Sequence, residues 1–247
     1  MYWCWVASAA QRFSFYGLSG TFVRMNGTLS IVATPIGNLE DITLRAIRVL
    51  GEAEYILCED TRVTGKLLGH YAVSTKTKRY DAHTSEHAHE QILKDLADGK
   101  CIALISDAGT PGISDPGVLL IQRAREAGVV IEAIPGPSSV TAAFSIAGIV
   151  GNQFAFLGFI PQKKGRKTFF EELADYEIPV IFFESVHRIM KTLESLAEYT
   201  DDRTIVVCRE LTKMHEEVVR GSAAEALQYF TENADHQRGE FVVIVGP

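Results

Sequence analysis

This sequence predicts an α/β protein built in two halves, on three observations. Short apolar runs that read as strands alternate with segments whose apolar residues recur at helical spacing. Loops rich in Gly and Pro stand where those strands hand over to helices. The rhythm then changes around Ala147-Gly148-Ile149-Val150-Gly151-Asn152, which divides the chain into α/β domains at residues 25–148 and 149–247.

Residues 1–24 read as an appended extension. Trp3 and Trp5 flank Cys4, neither period is present, and the first charge, Arg12, falls in the middle rather than at the start, unlike a secretory signal. Translation is expected to begin naturally at Met25, with the first part of the extension poorly ordered.

Leu29 to Ala33 is the first strand, ended by the tight loop Thr34-Pro35-Ile36-Gly37-Asn38-Leu39. Asp41 is expected to cap a helix carrying Ile42, Ala46, Val49 and Leu50 on one face. Tyr55 to Cys58 is the next strand, and Glu59-Asp60-Thr61-Arg62 follows at its carboxyl end, where α/β sheets open their ligand crevices. Asp60 and Arg62 thus face a ligand, or they form a helix cap and a surface ion pair. Thr75 to Tyr80 makes a short strand, and Ala88, Ile92, Leu93, Leu96 and Ala97 mark a helix face. His83, His87 and His89 lie between; with Leu93 where a second zincin histidine would stand, a solvated helix start is expected rather than a metal site.

The stretch Ser106-Asp107-Ala108-Gly109-Thr110-Pro111-Gly112-Ile113-Ser114-Asp115-Pro116-Gly117 organises the first half. It follows the buried-strand pattern Cys101 to Ile105 and precedes a helix from Val118 to Ala127. Its glycines let main chain approach a ligand, while its prolines keep the loop stiff. After the strand Val130 to Ile134, Pro135-Gly136-Pro137-Ser138-Ser139 repeats the device, and a helix start there offers free N–H groups to polar ligand atoms.

In the second half Gln153 to Ile160 is a strand, followed by Pro161-Gln162-Lys163-Lys164-Gly165-Arg166-Lys167. Lys163, Lys164, Arg166 and Lys167 are a concentrated basic run, suited to phosphate contacts or to a solvated loop. Ile178 to Phe183 is a strand ending in Glu184-Ser185-Val186-His187-Arg188, with a helix face at Ile189, Leu193, Leu196 and Ala197. Thr204 to Cys208 leads into Arg209-Glu210-Leu211-Thr212-Lys213, Glu216 to Gly221 is a hairpin partner, and Ser222 caps the next helix. Gly239 to Val245 closes the chain as a buried strand.

Composition bounds the function. The chain has 247 residues, is 47% hydrophobic, and has no apolar run approaching bilayer length, so a soluble protein is expected. Its four cysteines form no CxxC pair; Cys58, Cys101 and Cys208 sit in strand-like runs, which points to buried reduced thiols and a cytoplasmic setting. A net charge of −7 means that a nucleic acid must be met by a local basic patch. GxxxxGK[ST] is absent, as is GxGxxG after a strand, which removes P-loop and Rossmann readings.

Taken together, Ala33 to Leu39, Glu59 to Arg62, Ser106 to Pro116, Pro135 to Ser139, Glu184 to Arg188 and Arg209 to Lys213 resemble the ribosomal RNA small subunit methyltransferase I family of the tetrapyrrole methylase superfamily. The resemblance runs from about Gly27 to the C-terminus and departs at Val186, where relatives usually carry proline, and in Tyr80-Asp81-Ala82-His83-Thr84, which lacks an asparagine after the histidine. It implies two α/β domains of the tetrapyrrole methylase type, S-adenosylmethionine (SAM) in the interdomain cleft, a homodimer, and methylation of the ribose 2'-OH of a cytidine in the decoding region of 16S rRNA in the small ribosomal subunit. Carried over by motif, SAM contacts are expected at Pro35, Asp107, Ala108, Gly109, Thr110, Ile113, Ser138 and Ser139, and at main chain near Phe183, Leu211 and Glu240.

Methyl transfer from a sulfonium mainly needs alignment, but a ribose hydroxyl is a poor nucleophile and calls for a base. Asp60 and His187 are the candidates, with Glu184 next; Arg62 and Arg188 are expected to hold RNA phosphates beside the basic run. Each has a plainer reading as an ion pair within its own loop. Two other functions fit less of the sequence. A precorrin-type tetrapyrrole C-methyltransferase of the same superfamily would ignore RNA, and a non-catalytic RNA-binding module would lack SAM affinity.

Overall fold

The computed structural model describes residues 27–200 and 203–247; the expectation for residues 1–24 lies outside the described residues. The first sheet is parallel, in the order β3-β2-β4-β1-β5, with β1 Thr28–Val32, β2 Tyr55–Cys58, β3 Thr77–Arg79, β4 Cys101–Leu104 and β5 Val130–Ile134. The register pairs Leu29 with both Ile102 and Ile131, so β1 sits between β4 and β5. The three Gly/Pro loops therefore leave three adjacent strands on the same edge of one sheet.

Both faces of the sheet's centre are covered, which is why β2 and β4 are continuous apolar runs, while the edge strands β3 and β5 carry charged and exposed residues. Helices α1 (Leu44–Glu52) and α2 (Thr61–His70) bury Ala46, Leu50, Leu67 and Leu68 on one face, with Val32, Ile56 and Ala103. Helices α3 (Glu86–Ala97) and α4 (Val118–Glu126) bury Ile92, Leu96, Leu120 and Ala124 on the other, with Leu29, Leu57 and Leu104.

The second sheet has the order β6-β7-β10-β8-β9: β6 Ala155–Phe159, β7 Val180–Glu184, β8 Ile205–Arg209, β9 Glu217–Gly221 and β10 Phe241–Val245. Only β6 and β7 run parallel; the remaining pairs are antiparallel, and β8 and β9 form the expected hairpin. Helices α6 (Arg166–Ala174), α7 (Ile189–Tyr199) and α8 (Ala223–Glu232) cover one face through Phe170, Leu193, Leu196 and Phe230. The opposite face is closed by α5 (Ser139–Ile146): Val140, Ala143 and Ala147 pack with Ile181, Val206, Cys208 and Ile244, and Ile36 joins them. The last helix of the first half is thereby the cover of the second sheet. This shared core fixes the two sheets against each other.

Three local expectations are corrected. Asp41 does not cap α1: Asn38 caps a single 3₁₀ turn at Leu39–Asp41, and Thr43 then accepts Ala46 N–H at 3.0 Å as the N-cap, leaving Ile42 buried just before it. Cys101 is exposed because it is the first residue of β4, whereas Cys58 and Cys208 are buried, and burial pushes the Cys208 thiol up to about 12. The histidines do not share one solvated face. His83 and His87 are exposed, but His89 is buried, its Nε2 lying 3.1 Å from the Tyr80 hydroxyl.

Candidate active site

The loops from β1 and β4 are zipped together at their bases. Thr34 N–H donates to Gly109 O at 2.9 Å and Gly109 N–H returns to Thr34 O at 3.1 Å, while the Thr34 hydroxyl donates to Ser106 O. The third loop is tied in by Thr110, whose hydroxyl donates to Pro137 O at 3.3 Å. Gly109 holds φ +74, the left-handed region in which a side chain is strained, so glycine is required where this main chain crosses.

From the second half comes Arg209-Glu210-Leu211-Thr212-Lys213. Glu210 and Thr212 both have positive φ, 51 and 64, an uncommon state for residues other than glycine. Glu210 is tied to Glu240, just before β10: its N–H donates to Glu240 O, and its carboxylate accepts Glu240 N–H, both at 2.9 Å. Between the two strained residues Leu211 is turned inward and buried. Thr212 Oγ1 accepts Asn38 N–H at 3.1 Å and so docks this turn on the first loop.

A cleft of about 430 Å³ lies where these parts converge. Ala108, Gly109, Thr110, Ile113, Ser114 and Asp115 form one wall, and Ser138, Ser139 and Val140 at the start of α5 form the floor. The opposite wall is Phe159, Phe183 to Val186, Leu211 and Gly239 to Val242. A β-bulge between Phe156 and Phe159, at Gly158 with φ +66, turns Phe159 toward this wall, where it stacks edge-on with Phe183 at 5.3 Å.

The lining includes most of the residues expected to hold SAM: Ala108, Gly109, Thr110, Ile113, Ser138, Ser139, Phe183, Leu211 and Glu240. Pro35 and Asp107 are absent from it. Pro35 is buried behind Ile36, which takes its place in the lining, and the exposed Asp107 accepts Asp60 N–H at 3.1 Å. Sequence reasoning missed Asp115, Phe159 and Ser185. Asp115 had a signal, since it stands in the quoted Gly/Pro loop; Phe159 had none, because a bulge leaves no mark in an apolar run.

The cleft fits the methyl donor's chemistry. Ser138 gives α5 no side-chain cap, so N–H groups of the first turn stay free for acceptor atoms, and apolar Ile36, Val140, Phe183 and Leu211 suit a flat ring and the methylenes flanking a sulfonium. Among the described residues no group of three or more His, Cys, Asp or Glu is placed to hold a metal ion, and no helix is long and apolar enough to cross a membrane.

The base candidates differ in their surroundings. Asp60 is the N-cap of α2, accepting Arg62 N–H at 2.8 Å, and also takes a two-pronged ion pair from the same guanidinium at 3.1 and 2.7 Å. Those hydrogen bonds hold its carboxyl well below the usual range. Glu184 lines the cleft but is itself buried. It accepts Ser185 N–H at 2.7 Å and the Thr192 hydroxyl at 2.6 Å, with Arg188 Nη2 at 2.8 Å and Arg166 Nη1 at 3.6 Å. His187 is exposed beside the lining residue Val186.

Two of the expected RNA contacts have internal partners. Arg188 and Arg166 turn toward Glu184, at 2.8 and 3.6 Å, and Arg188 further donates to Ile160 O at 3.1 Å. Burying Glu184 demands these counter-charges. Lys163, Lys164, Lys167 and Arg62 remain exposed.

A two-sheet α/β molecule with a polar-floored cleft between the sheets is the architecture of a tetrapyrrole methylase, and the family model described as Tetrapyrrole (Corrin/Porphyrin) Methylases matches residues 28–227. Solved structures agree at the level of fold. A cobalt precorrin-4 methyltransferase superposes with TM-score 0.67 at 19% identity, covering 93% of this chain and 98% of that one, and a diphthine synthase with TM-score 0.67 at 14%, covering 89% of each. Sequence relatives narrow the class. The chain is 44% identical over 220 residues to the ribosomal RNA small subunit methyltransferase I of Halalkalibacterium halodurans, covering 89% of this chain and 75% of that protein. It is 40% identical over 219 residues to that of Thermotoga maritima, covering 89% and 98%. The chain belongs to the ribosomal RNA small subunit methyltransferase I family, a branch of the tetrapyrrole methylases.

Proposed function

We propose that this protein transfers a methyl group from SAM to the ribose 2'-OH of a cytidine in the decoding region of 16S rRNA within the small ribosomal subunit, acting in the cytoplasm as a homodimer. The observation that carries the reading is the convergence of three Gly/Pro loops from adjacent strands on the turn at Glu210 to Lys213, which gives one cleft with free main-chain donors and apolar walls. SAM supplies a methyl on a sulfonium, a carbon already activated for displacement. The chain's own work is alignment: the loop from Ala108 to Ile113 and the α5 start hold polar atoms, while Phe183 and Leu211 press on apolar ones.

The two domains divide at residues 148 and 149, with α5 as the floor that the first lends to the second. RNA meets Lys163, Lys164, Lys167 and Arg62. Arg166 and Arg188 act one step back, holding Glu184 and with it the Ser185 and Val186 wall. The tetrapyrrole alternative is weaker: relatives named for rRNA share 40–44% identity with this chain, whereas the cobalt precorrin-4 methyltransferase shares only the fold at 19%.

Binding tests both halves of the reading. By calorimetry the protein should bind SAM, and a Lys163→Ala, Lys164→Ala, Lys167→Ala variant should bind it equally well. That variant's affinity for small-subunit RNA should fall, with the slope of log affinity against log salt reduced by about 2. Absence of SAM binding by the unaltered protein would overturn the methyl-donor assignment, and unchanged RNA affinity in the triple variant would overturn the basic run as the RNA contact.

A further inference from the structure

Three carboxylates line the cleft: Glu184, Glu240 and Asp115. Glu184 is paired with Arg188, accepts a hydroxyl and an N–H, and has the Arg166 guanidinium 3.6 Å away. Glu240 is paired with Lys213 at 3.1 Å. Asp115 is half-buried and, among the described residues, has no salt bridge to any cation. The charges that face it are also negative: Asp107 on its own loop and Glu59 at the end of β2, with the Ser106 hydroxyl as its polar neighbour.

The chain holds this carboxylate in place with care. Pro116 fixes the following φ, and Gly117 adopts φ +136 with its Cα so close to Leu104 that an added Cβ would lie 2.8 Å from Leu104 Cδ2. The loop is thereby pinned to the end of β4, and Asp115 is presented to the cleft from a rigid base.

On the reading that the substrate is a ribose hydroxyl, we propose that Asp115 is the general base of the methyl transfer. The O–H bond breaks with its proton passing to the Asp115 carboxylate, and the oxygen's electron pair forms the new O–CH₃ bond. The C–S bond breaks with its pair going to sulfur, which leaves as a neutral thioether, and Asp115 then releases the proton to solvent. Atoms and charge balance with no further reactant. Burial raises the Asp115 carboxyl from its ordinary value, opposed by the Ser106 hydroxyl and reinforced by Asp107, and a raised carboxyl is a stronger base than a solvated one.

The sign of the stability linkage separates this assignment from a structural one. A carboxyl whose folded pKa is raised binds its proton more tightly in the folded state, so its ionisation weakens the fold as pH rises through that window. Asp115→Asn should therefore melt no lower than the unaltered protein at neutral pH, and should bind SAM within twofold by calorimetry. Its methyl transfer to small subunits should drop by about 10²–10⁴-fold. Asp115→Glu should recover part of the loss, and the acid limb of kcat/KM seen in the unaltered protein should be missing from the Asn variant.

A rate within fivefold of the unaltered protein would overturn the proposal. So would lost SAM affinity or a lower melting temperature, either of which makes Asp115 a donor-site or structural residue. The unaltered protein run alongside distinguishes the two levels: if it transfers no methyl, the ribose reading fails with the inference, and if both proteins transfer equally, only the assignment to Asp115 fails.

Discussion

Glu184 is where the residue scale speaks most clearly. Its carboxylate is buried and accepts from Ser185, Thr192 and Arg188, with Arg166 close by, so it joins the ends of β6 and β7 to α6 and α7. Removing the charge while leaving both cations is the costly way to break such a cluster. Glu184→Gln should lose about 3–5 kcal/mol in urea denaturation. A loss below about 1 kcal/mol, the worth of a surface pair, would mean that water reaches the cluster in solution. Residue types alone could not show this. An arginine in a basic run and one beside a histidine look alike in sequence, and only the fold reveals that Arg166 and Arg188 serve an internal carboxylate. Asp60 and Arg62 were legible as a cap and an ion pair or as a site, and the fold shows the cap and the pair.

At the scale of elements most strands were readable, because sheets buried on both faces leave unbroken apolar runs; Tyr55–Cys58 has the expected limits, and Phe241–Val245 lies within the expected run. Less legible was whatever depends on a distant partner. The bulge at Gly158 and the left-handed Glu210 and Thr212 are imposed by β7 and β10, not by local preference. Contact between the first loop and the Glu210 turn is the element-scale device that sets cleft width. Gly37 makes it possible: a Cβ there would lie 2.8 Å from Leu211 O, 2.7 Å from Thr212 Oγ1 and 2.5 Å from Lys213 Cγ. Gly37→Ala should push the two loops apart and weaken SAM about tenfold by calorimetry, about 1.4 kcal/mol. Gly65→Ala is the control, since nothing lies within 4 Å of a Cβ at that helical position; it should leave affinity unchanged and stabilise the fold by up to about 1 kcal/mol. Equal SAM affinity in both variants would contradict the role given to the loop contact.

On the scale of the whole molecule, two sheets of different topology share one helix, and the ligand cleft lies above that seam. The two halves were legible in the change of rhythm near residue 150; that α5 belongs to the second sheet's core was not, because its small residues Ala142 and Ala143 suit either partner. An acidic chain of net charge −7 that works on RNA must confine its attraction to one region, and the exposed lysines at 163, 164 and 167 flank in sequence the Arg166 that reaches Glu184 of the cleft. The decisive measurement is transfer of labelled methyl from SAM to small ribosomal subunits from cells that lack this protein, with the product mapped by resistance to alkaline cleavage. One protected cytidine ribose in 16S rRNA is the expected result. Subunits that stay unlabelled, or that carry the label on a base and remain open to alkali at every ribose, would contradict it.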